Sequence, residues 1–126
     1  MSVGAAPVAR IELPSRDIGR QREFYSRVLG LAAEEGAYAA FRCGALRLVL
    51  RPRGDALFPS GGAAAAAGGA LLAFAVPDDE LERWHRHMMM ARVAVLEAPG
   101  ANGAAPRRLR VSDPEGNVVE LFAAAP

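Results

Sequence analysis

Two stretches of this chain begin alike. RIELPSRD at residues 10–17 and LLAFAVPD at residues 71–78 each read as a strand running into a helix cap, offset by about 61 residues. A repeated strand-to-helix unit constrains the fold strongly, because each copy carries apolar surface to bury and the same packing solution serves twice. In the first copy Asp17 is placed to cap a helix whose Ile18, Tyr25, Val28 and Leu29 share one face, and Gly30 to stop it. In the second, Asp78 or Asp79 caps a helix with Leu81, Trp84, Met88 and Ala91 at helical spacing, and the acids at its start complement the helix dipole. Strand-like runs follow at 32–35, 38–42 and 46–51, and again at 93–97, 107–112 and 117–122. The chain thus reads as strand, helix and further strands, twice.

The 126 residues suit a single domain, with a first module over 8–52, a flexible linker over 53–68 and a second module over 69–123. The linker RGDALFPSGGAAAAAG is rich in Gly and Ala, which bury little and order poorly. Its Arg53-Gly54-Asp55 triplet is too short a match to carry an adhesion function. Met88-Met89-Met90 reads as core filling, since three consecutive helical residues cannot converge on one ion.

Net charge is +1, and the fifteen basic residues, all Arg, are scattered along the chain. No basic patch points to nucleic acid and no polybasic segment to a membrane surface. The lone Cys43 has no disulfide partner and no zinc-ligand spacing, and no apolar stretch reaches the ~20 residues of a membrane span. A cytoplasmic protein is expected.

The chemistry is concentrated near the C-terminus. In DPEGNVVELF, residues 113–122, Asp-Pro and Gly-Asn mark a tight reversal, and the strand after it places Val118, Glu120 and Phe122 on one face. Glu120 stands between two apolar neighbours, where a carboxylate is either paired or pushed toward protonation.

IELPSRDIGRQREFYSRVLGL near the start and VSDPEGNVVELF near the end together resemble the vicinal oxygen chelate superfamily, which includes glyoxalase I, bleomycin-resistance proteins, fosfomycin-resistance enzymes and extradiol dioxygenases. The resemblance covers about residues 8–123. It implies an α+β fold of two βαβββ modules whose mixed sheet curls into a cup around a ligand cleft. In metal-using members the cup holds an ion through a His on the first strand, a His on the opening strand of the second module and a Glu on the last strand. Glu120 matches the last, but Arg10 and Leu71 stand at the two His positions, and the further glyoxalase-type ligand position falls at Leu48. A first-row ion of this kind needs about three lone-pair donors, and neither guanidinium nor isobutyl supplies one. His85 and His87 diverge on a helix expected outside the sheet. No metal and no cofactor is therefore expected.

Arg10 instead puts a permanent charge where the family's cation would sit, with Glu120 as a partner across the cup floor and Glu12 on the same side of its strand. These three residues form either a stabilising network or a ligand anchor. Leu48, Leu71, Ala73, Val118 and Phe122 are expected to line the cleft with them. The resemblance implies a small, partly apolar ligand bound without metal, as in drug-binding or sequestering proteins, and a homodimer. The alternative is an enzyme of the same superfamily, a lyase, isomerase or dioxygenase. It would either use Glu120 or Glu12 as general base with Arg10 stabilising an oxyanion, or hold a metal through other ligands.

Overall fold

A computed structural model describes residues 3–54, 57–58, 68–100, 103 and 105–125. The chain divides into two compact units, residues 1–65 and 66–126. Each is a βαβββ module.

The first unit contains β1 (Arg10–Ser15), α1 (Ile18–Glu23) running on into a π-helical turn (Phe24–Val28), β2 (Ala32–Ala33), β3 (Ala40–Cys43) and β4 (Leu46–Pro52). The sheet order is β1-β4-β3-β2, with β1 parallel to β4 and the other pairs antiparallel. Asp17 caps α1 as its position predicts, its carboxylate accepting the Arg20 N–H at 3.1 Å. Gly30 ends the helical stretch at φ 77°, a left-handed conformation that lets the Leu31 N–H reach the Tyr25 carbonyl at 2.9 Å. The helical segment buries Phe24, Tyr25 and Leu29, and α1 packs on β4. Tyr25 meets Phe24 edge-on with centroids 5.0 Å apart and lies 6.4 Å from Phe41. Leu13, Phe41, Leu48 and Leu50 complete this core, each contributing about 1.5–3 kcal/mol through burial.

The second unit repeats the plan with β5 (Leu71–Val76), a 3-10 turn (Asp78–Glu80), α2 (Leu81–Met90), β6 (Val95–Glu97), β7 (Arg108–Ser112) and β8 (Val118–Ala123). Its order is β5-β8-β7-β6, with β5 parallel to β8. Leu81 and Met88 of α2 are buried, as are Leu109, Val111, Val119 and Leu121 of the sheet, and α2 packs on β7 and β8. Two expectations are corrected here. Asp78 and Asp79 do not cap α2 but belong to the 3-10 turn that precedes it, where Asp78 takes a hydrogen bond from Arg107 at 3.0 Å. Of the three methionines only Met88 fills the core; Met89 and Met90 are exposed, because successive helical side chains point about a quarter-turn apart.

The turn between β7 and β8 is knotted by Asp113. Its Oδ1 accepts the N–H groups of Glu115 and Asn117 at 2.9 and 2.8 Å, and its Oδ2 accepts the Asn117 side-chain amide at 3.0 Å. The Asn117 Oδ1 in turn accepts the Ala70 N–H at 3.3 Å, tying the turn to the start of β5. Gly68, at φ 81°, lies so close to the Gly116 carbonyl that a Cβ there would collide with it.

Of the linker read at 53–68, residues 55–56 and 59–67 lie outside the described residues. In the described part the Gly54 N–H donates to the Phe58 carbonyl at 2.8 Å. No helix among the described residues is long and apolar enough to cross a membrane.

Candidate functional site

In each unit the helix packs against one face of the sheet, and charged side chains pair with one another on the other face. On the first sheet, alternation along β1 puts Arg10 and Glu12 on the open face and Leu13 on the core face. The parallel register aligns Glu12 with Val49, so Arg47 and Arg51, two residues to either side, share that face. Glu12 is held from both sides: Arg10 Nε donates to its Oε2 at 2.8 Å and Arg51 Nη1 to its Oε1 at 3.1 Å. The hydrogen bond from Arg51 is the main cause that holds the Glu12 carboxyl below the ordinary glutamate range; burial pushes the other way, and Arg10 adds to the lowering. The Arg51 guanidinium also lies over the Phe58 ring, 5.7 Å from its centroid. Around this network opens a hollow of about 600 Å³, lined by Val8, Arg10, Glu12, Arg51, Leu57 and Phe58.

A second feature of this face is a row of arginines. Arg10 is aligned with Arg47 across β1 and β4, and Arg47 with Arg42 across β4 and β3. Like charges directly opposite each other on a sheet are destabilising. Arg47 is relieved by Glu34, which accepts from its Nε at 2.7 Å. Arg10 has Glu12, and Arg42 has no ion pair among the described residues.

On the second sheet, Leu71 and Ala73 of β5, Val118, Glu120 and Phe122 of β8, and Arg108 and Arg110 of β7 share the open face. Arg110 lies directly opposite Glu120, and its Nε donates to Glu120 Oε1 at 2.7 Å. That settles why a carboxylate stands between Val118 and Phe122: with its side chain only 14% exposed, Glu120 has a guanidinium supplied by the neighbouring strand. The expected partner was Arg10, which is instead hydrogen-bonded to Glu12. Arg108 makes the analogous bond to Glu97 at 2.5 Å.

The site residues anticipated from sequence thus fall into two groups and one exception. Arg10 and Glu12 are brought together on the first sheet; Leu71, Ala73, Val118, Glu120 and Phe122 share one face of the second. Leu48 belongs to neither. It is fully buried on the opposite face from Glu12, aligned with Ile11 and Phe41, so it is a core residue and not a lining one. The open-face residue at this level of β4 is Val49. Arg51, Arg110 and Phe58 were not anticipated.

These side chains do not make a metal centre. Arg10 and Leu71 offer no lone pair, Leu48 is in the core, and among the described residues no three of His, Cys, Asp and Glu are grouped to hold an ion. His85 and His87 lie on α2, where His87 stacks edge-on with Trp84 at 5.7 Å. The residues present therefore do not fit a first-row ion at the family's positions.

The fold and the charged faces define a paired βαβββ protein of the glyoxalase class, and comparison with known proteins agrees. Residues 8–121 match the model of the Glyoxalase/Bleomycin resistance protein/Dioxygenase superfamily, and the chain belongs to that superfamily. No curated protein sequence matches it. Among solved structures it is similar to a protein from the mobile metagenome of V. Pseudocholerae, at 22% identity and TM-score 0.74 over 100% of both chains. It is also similar to a lactoylglutathione lyase from Agrobacterium tumefaciens, at 23% identity and TM-score 0.65 over 95% of both chains. A glyoxalase/bleomycin resistance protein/dioxygenase from Nocardioides matches at 19% identity and TM-score 0.75, over 97% of this chain and 85% of that one. At these identities the likeness shows the fold.

Proposed function

We propose that this chain binds a small, partly apolar molecule without a metal ion, as a binding or sequestering protein, and that the hollow at Arg10, Glu12 and Arg51 is where it does so. The observation that carries this function is the chemistry of the hollow. Its polar groups are a carboxylate clamped between two guanidiniums, and its walls are Val8, Leu57 and Phe58. An apolar hollow with a few fixed polar groups is the usual form of a small-molecule site. A cytoplasmic homodimer belongs to the same proposal; the dimer rests on the family alone, and the location on the lone Cys43 and the lack of an apolar stretch of membrane-span length.

The superfamily's enzymatic chemistry is the alternative, and the carboxylates favour it less. A general base works best with a pKa near the operating pH. Glu12 is shifted the opposite way by Arg51 and Arg10, and one oxygen of Glu120 is engaged by Arg110.

Two measurements on the purified protein test the proposal. Elemental analysis should find no stoichiometric Fe, Zn, Ni or Mn; a tightly held ion at one per chain refutes metal-free binding. A screen of carbonyl and epoxide substrates should show no turnover. Turnover that disappears in Glu120→Gln establishes the enzyme instead.

A further inference from the structure

The row Arg10, Arg47 and Arg42 places three guanidiniums side by side on adjacent strands, an arrangement that opposes the pairing of those strands unless negative charge is brought to it. The protein supplies part of that charge through Glu34 and Glu12. Arg10 uses only its Nε for Glu12, so both terminal amino groups of this half-exposed side chain have no partner among the described residues. Glu12 divides its two oxygens between Arg10 and Arg51 and neutralises Arg10 only in part. Next to these donors the hollow offers Val8, Leu57 and Phe58, of which Val8 and Leu57 are 64% and 71% exposed and have apolar surface to cover.

We propose that the ligand of this hollow is an organic anion, a carboxylate with an apolar body. Its charged end docks on the free amino groups of Arg10 at the end of the arginine row, and its body covers Val8, Leu57 and Phe58. This inference rests on the small-molecule function proposed above and specifies its substrate class. A guanidinium presents two parallel N–H groups to a carboxylate, a match that a neutral amide of the same shape cannot reproduce.

The test is a titration of the full chain, followed in its ¹H–¹⁵N spectrum, with two matched probes: 4-phenylbutyrate and its neutral amide, 4-phenylbutanamide. The carboxylate is expected to shift resonances of residues 8–12 and 57–58 and to bind about fivefold to tenfold more tightly than the amide, the scale of one charged hydrogen bond at a partly exposed site. Arg10→Gln should remove that advantage, and added salt should reduce it. Val8→Glu, which removes apolar wall surface and adds a negative charge near Arg10, should weaken both probes and the carboxylate more than the amide. Both substitutions lie at exposed positions, and the variant spectra verify that the fold is retained. Equal binding of the two probes, or carboxylate binding indifferent to Arg10→Gln, overturns anion recognition while leaving small-molecule binding standing. Shifts confined to other parts of the chain overturn it as well. Binding of neither probe at millimolar concentration overturns both.

Discussion

Leu48→Ala separates a core residue from a ligand-lining one. Leu48 is fully enclosed, with Ile11 and Phe41 aligned to either side of it across the sheet and Leu13 and Leu50 on the same face. Truncating such a leucine removes the transfer free energy of its methyl groups and leaves a cavity that strands hydrogen-bonded on both sides cannot close. The expected loss is about 3–4 kcal/mol, in the upper half of the range for buried Leu→Ala. For a chain of this size that lowers Tm by about 10 °C or more. Val49→Ala, on the half-buried open face, should cost about 1 kcal/mol. Urea unfolding followed by circular dichroism measures both, and an unchanged m-value assures that the native state is being compared with the same unfolded ensemble. A Leu48→Ala protein within about 0.5 kcal/mol of the parent, with Val49→Ala the more damaged, would falsify the assignment of the two faces of β4.

Two further outcomes follow from named contacts. Gly68→Ala should lose about 1–2 kcal/mol from its left-handed backbone alone and more from the collision with the Gly116 carbonyl; an alanine variant as stable as the parent in the same urea assay would contradict the close approach of the segment leading into β5 to the Asp113 turn. Because Arg51 and Arg10 lower the Glu12 pKa, its contribution to stability is complete above the unfolded-state value of about 4.3 and is lost as pH falls through the lower folded-state value. The stability difference between the parent and Glu12→Gln should therefore shrink on acidification below about pH 4.3, and a difference that widens there has the wrong sign.

Much of the fold is legible in local pattern. The two strand-to-helix starts, the Asp17 cap and the Gly30 stop are encoded within a few residues of where they act, and the helix spacing after them is regular. The strand ends are less so: the runs expected from 32, 38 and 93 begin at Ala32, Ala40 and Val95, and the first is only two residues long. Leu48 was misplaced because LRLVL is apolar at both parities in its middle, which hides the face that points inward. The signal was present one step further out, since Arg47 and Arg51 flank Val49 at period two and mark its parity as the open one. Arg110 was equally within reach. A turn that pairs Ser112 with Val118 puts Arg110 opposite Glu120 by counting outward along the hairpin. The bond from Arg51 to Glu12 was not, because it depends on the register of two parallel strands joined through a helix and two intervening strands, and no local pattern specifies that alignment.

Parallel pairing of the first and last strand of each module also has a consequence for synthesis. Leu71 is aligned with Val118, so β5 waits for a partner encoded 47 residues later. At roughly 5–20 residues per second the ribosome needs several seconds to cover that distance. Throughout that interval LLAFAV is a nascent apolar segment without its hydrogen-bonding neighbour, the kind of sequence that holdase chaperones retain and that aggregates when translation outruns them. The β7–β8 hairpin, closed by a turn of a few residues, can form as soon as it emerges, and it supplies the template onto which the waiting strand docks.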